Sequence, residues 1–121
     1  MKKVLLLSAL SILILSAGDC SKKKTGYKGK LEIKGICMNY TIALTEGNID
    51  TSLIVANWTD ENTGKAYKNV FKLGSPCTFP SSIKEGDEFS FTIDTSVMNC
   101  QVCMAYYPTP PKSLGIKVVE K

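Results

Sequence analysis

Lys30–Leu44 reads KLEIKGICMNYTIAL, and the alternation within it sets the fold class. Leu31 and Ile33 fall on one side of an extended chain, Glu32 and Lys34 on the other. A period of two is the mark of a strand with one buried face. Gly35 then interrupts, and Met38, Tyr40, Ile42 and Leu44 carry the apolar positions on the other parity. A parity change at a glycine within a long strand predicts a bulge or a sharp bend there.

The same period continues outward. SLIVANW (Ser52–Trp58) predicts a strand, TDENTGK (Thr59–Lys65) a turn in which Gly64 takes positive φ, and AYKNVFKLG (Ala66–Gly74) the returning strand. EFSFTID (Glu88–Asp94) alternates most cleanly, with Phe89, Phe91 and Ile93 inward. QVCMAYY (Gln101–Tyr107) and LGIKVVE (Leu114–Glu120) complete a set of about six strands. No segment shows a helical stripe. The connection from Gly74 to Phe89 holds Pro76 and Pro80 and has room for at most one helical turn. Within it, IKEGDEF (Ile83–Phe89) resembles the turn that enters the fourth strand of OB-type barrels. With a long bent first strand, that resemblance implies an all-β, OB-like, partly open barrel; a small two-sheet β-sandwich is the alternative.

The chain opens MKKVLLLSALSILILSAGDC. Lys2 and Lys3 precede an apolar run, Val4–Leu15, of about a dozen residues, where a permanent membrane helix needs about 20. A short charged start, a short apolar core and small residues after it predict an export signal. Leu15, Ser16, Ala17, Gly18 and Asp19 lead to Cys20, and the segment resembles the lipobox of bacterial lipoproteins, although Asp19 stands where Gly, Ala or Ser is usual. The resemblance implies lipid on Cys20; ordinary cleavage after Gly18 is the alternative. Lys22, Lys23 and Lys24 follow in a basic tether suited to anionic headgroups or to plain solvation. The expected organisation is a signal peptide over 1–19, a lipidated cysteine and tether over 20–29, and the β domain over 30–121. The stretches GICMNYTI, ANWTDENTGKAYKNVFKLGSPC and EGDEFSFTID resemble small bacterial cell-envelope lipoproteins. That likeness implies a membrane-anchored envelope protein and no particular chemistry; the basic tether after Cys20 predicts that it faces the periplasm.

Composition narrows the function. All 15 basic residues are lysine, and the chain holds neither arginine nor histidine. Without arginine it lacks the usual bidentate grip on phosphate and guanine, so nucleic acid is not expected as a partner. Without histidine it can form no Ser-His-Asp or Cys-His arrangement and lacks the commonest metal ligand. Glu85, Asp87 and Glu88, like Asp60 and Glu61, fall in predicted turns, where spacing brings no carboxylate pair face to face. Asp60, Asn62 and Gly64 alternate as in a calcium loop, but Phe71 stands where such a loop needs its closing glutamate.

The chain has 5 cysteines: Cys20, Cys37, Cys77, Cys100 and Cys103. Lipid on Cys20 leaves an even set that can pair completely. Cys100 and Cys103 form a C-x-x-C, which a redox centre would place at a helix N-terminus; Pro108, Pro110 and Pro111 forbid such a helix. A structural zinc site would want a second C-x-x-C. Disulfides are therefore expected at Cys37, Cys77, Cys100 and Cys103, in one of three connectivities. The preferred pairing is Cys37 with Cys103, on the expectation that both are strand positions. No metal or cofactor is expected.

Trp58, Tyr106 and Tyr107 are the candidate ligand-binding residues, since aromatic faces beside polar turns stack on sugars or bases as well as filling cores. The expected role is a lipid-anchored, non-catalytic envelope module that binds a protein or glycan partner. A structural subunit of an envelope complex and a small enzyme are the alternatives.

Overall fold

The chain does not run through Gly35 as one bent strand. A computed structural model describes residues 26–96 and 103–120. In it β1 (Tyr27–Lys34) ends before Gly35, a 3-10 turn covers Ile36–Met38, and β2 (Tyr40–Glu46) runs back antiparallel to β1. Cys37 and Met38 take φ of 57° and 60°, two left-handed residues in succession. They reverse the backbone, and the Asn39 amide closes the turn on the Ile36 carbonyl at 3.1 Å. The parity change seen in the sequence is thus a reversal of direction. A true register shift lies earlier, between Leu31 and Ile33.

The remaining strands are β3 (Val55–Thr59), β4 (Ala66–Leu73), β5 (Glu88–Ile93), β6 (Ser113–Leu114) and β7 (Ile116–Glu120). All seven belong to one sheet, in the order β3-β4-β2-β1-β5-β7, with β6 pairing β4. Every pairing is antiparallel except that of β4 with β6. β3 and β4 form a hairpin around the TDENTGK turn, where Gly64 has φ of 76°. Asp60 is buried there and organises the turn: its carboxylate accepts from the Asn62 amide at 2.9 Å and the Thr63 hydroxyl at 3.3 Å. The connection from β4 to β5 holds a single 3-10 turn, Pro76–Thr78.

One face of the sheet carries the core. Phe89 and Phe91 of β5 point inward, as their alternation predicts, beside Leu31, Ile42, Phe71 and Leu73. The Phe89 and Phe91 ring centroids are 5.9 Å apart, and Phe79 meets Phe89 edge-on at 5.4 Å. Each fully buried phenylalanine contributes about 1.5–3 kcal/mol of burial free energy. Ile93 is half-buried at the margin of the same cluster.

β6 and β7 are separated by Gly115 alone, and the chain changes partner there from β4 to β5. Gly115 is required by space: a Cβ on it would run into the carbonyl oxygen of Asp94. Ser75, just past β4, is buried, and its hydroxyl bonds both backbone groups of Ile116.

The other face is also covered in part. Ile33, Thr41, Ala43 and Val70 are buried yet stand outside the main cluster. The pairs Ile33–Thr41, Ala43–Val70 and Thr41–Lys72 put them on the face opposite Ile42 and Phe71. Residues 103–112 form a strap pinned at several points. Cys103 is bonded to Cys37. The Ala105 carbonyl accepts from Asn39 Nδ2 at 3.2 Å, and the Tyr107 ring lies against Gly35. The Lys112 carbonyl accepts from the Lys72 amide at 2.8 Å. Pro108 and Pro110 are buried within the strap. The expected QVCMAYY strand is corrected here: residues 103–107 are irregular, and Gln101 and Val102 lie outside the described residues. The strap runs into Pro108, Pro110 and Pro111, which lack the N–H a ladder needs, so side chains and a disulfide hold it instead.

Candidate binding face at the disulfide pole

The Cys37–Cys103 bond has a Cα–Cα separation of 5.2 Å and joins residues 66 apart in sequence. It matches the preferred pairing, although neither cysteine is in a strand: Cys37 sits in the turn between β1 and β2, and Cys103 opens the strap. Cys77 is also disulfide-bonded. Cys20 and Cys100 lie outside the described residues.

The bridge ties the β1–β2 turn to the connection between β5 and β6, and large apolar side chains collect around it. Ile36, Met38, Met104 and Tyr106 are all exposed, Met104 at 94% and Tyr106 at 74%. Tyr106 is nevertheless fixed in direction, because its hydroxyl donates to Glu61 Oε1 at 2.8 Å. That hydrogen bond, with the negative charge behind it, pushes the Tyr106 phenol above its usual range. Glu61 belongs to the β3–β4 turn, so the contact draws the strap toward the hairpin that carries Trp58.

Trp58 is half-buried at the end of β3 and pairs across the hairpin with Tyr67, their ring centroids 5.8 Å apart. The Lys65 ammonium lies 5.1 Å from the Tyr67 ring centroid, within cation–π range. Burial, first of all, and then the charges of Glu32, Asp60 and Glu85 push the Tyr67 phenol upward. Tyr107 contributes to the same effect, so it stands within electrostatic reach of Tyr67. Of the residues singled out in the sequence, Tyr106 and Tyr107 line one hollow, whereas Trp58 packs on Tyr67 in the hairpin whose turn bears Glu61. Tyr67 was missed there. Counting outward from the turn finds it, since Thr59 opposes Ala66 and Trp58 opposes Tyr67.

An open hollow lies between the strap and the sheet, lined by Asn39, Lys72, Cys103, Met104, Ala105, Tyr106, Tyr107 and Thr109. Lys72 is its one charged lining residue. Nothing in the sequence distinguishes Lys72 from the chain's other lysines; its place in the hollow follows from the strap alone.

The acidic residues are used locally. Glu85 Oε2 accepts from the Lys34 amide at 2.8 Å, and Asp60 organises its turn. Among the described residues no group of three or more histidine, cysteine, aspartate or glutamate side chains is placed to hold a metal ion. No protein-family model, curated protein or solved structure matches this chain.

Proposed function

We propose that this chain is a lipid-anchored envelope protein that binds a ligand, without catalysis, through the disulfide pole of an OB-like, partly open barrel. The anchor reading rests on the basic start, the Val4–Leu15 run and Cys20. The barrel reading draws support from one continuous sheet whose C-terminal strands reach both β4, through β6, and β5, through β7. In OB-type barrels the loops corresponding to β1–β2 and β5–β6 flank the ligand face. Here those are the two connections that the Cys37–Cys103 bridge joins.

One observation carries the binding reading: Tyr106 is exposed yet oriented by Glu61, on the wall of a hollow that holds a single cation. The placement also suits a tethered protein. β1 begins at Tyr27, nearest the tether, and ends at Lys34, beside the turn that bears Cys37. At about 3.3 Å per residue the strand carries this pole roughly 23 Å from the tether. A glycan is the ligand to test first, since glycans are abundant outside the cytoplasm.

Intact mass analysis of the membrane fraction without reductant tests the anchor. A mass showing diacylglyceryl on Cys20 and no free thiol supports the reading; an unmodified Cys20 or reactive thiols at Cys37, Cys77, Cys100 and Cys103 defeats it. A glycan-array screen of the detergent-extracted protein tests binding.

A second reading has its own observation. The exposed Ile36, Met38, Met104 and Tyr106 around the bridge also suit docking in an envelope complex as a structural subunit. Co-purification in mild detergent at stoichiometric yield, lost in a Met104→Ser, Ile36→Ser variant, would favour it.

A further inference from the structure

We infer that the hollow beside the Cys37–Cys103 bridge is a subsite for a carboxylate-bearing sugar, with Lys72 as its anion anchor. The inference deepens the binding reading above and rests on it.

The argument starts from the lysines. Among those in the described residues only Lys30 and Lys72 are half-buried; the rest are exposed. Lys30 has its counter-charge, Glu32, at 3.9 Å. Lys72 has neither a salt bridge nor a side-chain hydrogen bond with any described residue. A lysine with no counter-charge beside it leaves that place to a bound carboxylate, which would make a charge-assisted hydrogen bond with it. Every other lining residue is uncharged, and the carboxylate that adjoins the hollow, Glu61, is engaged by the Tyr106 hydroxyl.

The walls choose the ligand class. The Tyr106 hydroxyl is committed to Glu61, so a ligand meets the ring and not the phenol. Tyr107 and Thr109 stand on the same wall. A flat apolar ring face, neighbouring hydroxyl groups and one cation match a hexuronic acid: its C–H face stacks, its hydroxyls hydrogen-bond, and its carboxylate meets the ammonium. The hollow is shallow and open along the strap, which suits a residue within a longer glycan.

The full-length protein in detergent is titrated calorimetrically with a galacturonate oligosaccharide and with the galactose oligosaccharide of equal length. We expect about tenfold tighter binding of the uronate, a difference of about 1.4 kcal/mol. Lys72→Gln should erase that preference and leave affinity for the neutral sugar unchanged, while Tyr106→Ala should weaken both. Equal binding of the two sugars, unaltered by Lys72→Gln, overturns this inference and leaves the binding reading standing. Failure of both sugars to bind overturns the two together. Preference for a peptide with a free C-terminal carboxylate, lost in Lys72→Gln, overturns the sugar assignment.

Discussion

The hydroxyl of Ser75 donates to the Ile116 carbonyl at 2.8 Å and accepts from the Ile116 amide at 2.9 Å. One side chain thereby does the work of a strand residue. The β4–β6 ladder runs through the bond from the Gly74 amide to the Leu114 carbonyl, and Ser75 extends it onto β7 after the strands have parted. This junction lets the C-terminal strands pair with β4 on one side and β5 on the other.

Ser75→Ala should be costly for its size. It removes both partners of a backbone amide and carbonyl, in a place where water does not reach Ser75. Leaving buried groups unpaired costs about 1–3 kcal/mol. Urea unfolding measures it; a midpoint equal to that of the unaltered protein would show that Ile116 finds other partners.

Gly115→Ala and Gly64→Ala should differ in kind. At Gly115 the added methyl meets the Asp94 carbonyl oxygen, and the Asp94 amide is already bonded to the Gly115 carbonyl at 2.9 Å, so neither backbone can easily yield. Overpacking of this sort costs about 1–3 kcal/mol or more. At Gly64 the methyl meets nothing within 4 Å, and the cost is that of a left-handed residue, about 1 kcal/mol. Thermal unfolding of the two variants should rank Gly115→Ala as the more destabilised.

Replacing Cys37 and Cys103 together by serine should release the strap. The bond closes a loop of 66 residues in sequence separation, for which chain entropy gives about 4 kcal/mol. Residues 103–107 have no ladder to fall back on, so limited proteolysis should cut there first, ahead of the β3–β4 hairpin. Equal protease resistance with and without the bond would mean that Asn39, Gly35 and Glu61 suffice to hold the strap.

Tyr106 supplies a pH dependence. Its phenol is raised from 10.0, first by the hydrogen bond to Glu61, so the folded form favours the protonated ring. The contact is fully present below the unfolded value and is lost as pH rises through the higher folded value. Tyr67 and Tyr106 should both titrate late in tyrosinate absorbance, and Glu61→Gln should move one of the two, Tyr106, to lower pH. Protease sensitivity of residues 103–107 should rise over the same alkaline range; no change in either signal would remove the Tyr106–Glu61 contact from the account.

Much of the sheet was legible because the signals are local. EFSFTID alternates over six residues of β5, and the same Phe89 and Phe91 that alternate are the ones buried. TDENTGK turns where Asp60 and Gly64 can turn. Lys30–Leu44 was misread for an equally physical reason. A bulge and a reversal both switch the apolar parity at Gly35, and only the antiparallel pairing that sets Leu31 opposite Ile42 tells them apart. Cys37–Cys103 was chosen correctly on an incorrect premise, since a turn and a strap bring the two together.

The sequence by itself determined the all-β class, the hairpin turn at Asp60 and the inward phenylalanines, because side-chain period and turn chemistry act within a few residues. Only the tertiary structure decided that LGIKVVE changes partners at Gly115, that residues 103–112 lie as a strap on the outer face, and that Lys72 faces a hollow without a counter-charge. Those facts depend on pairings between residues far apart in the chain, such as Ser75 and Ile116, 41 positions apart. Such contacts form only once the whole sheet has assembled, and no local pattern encodes which distant edge a strand will meet.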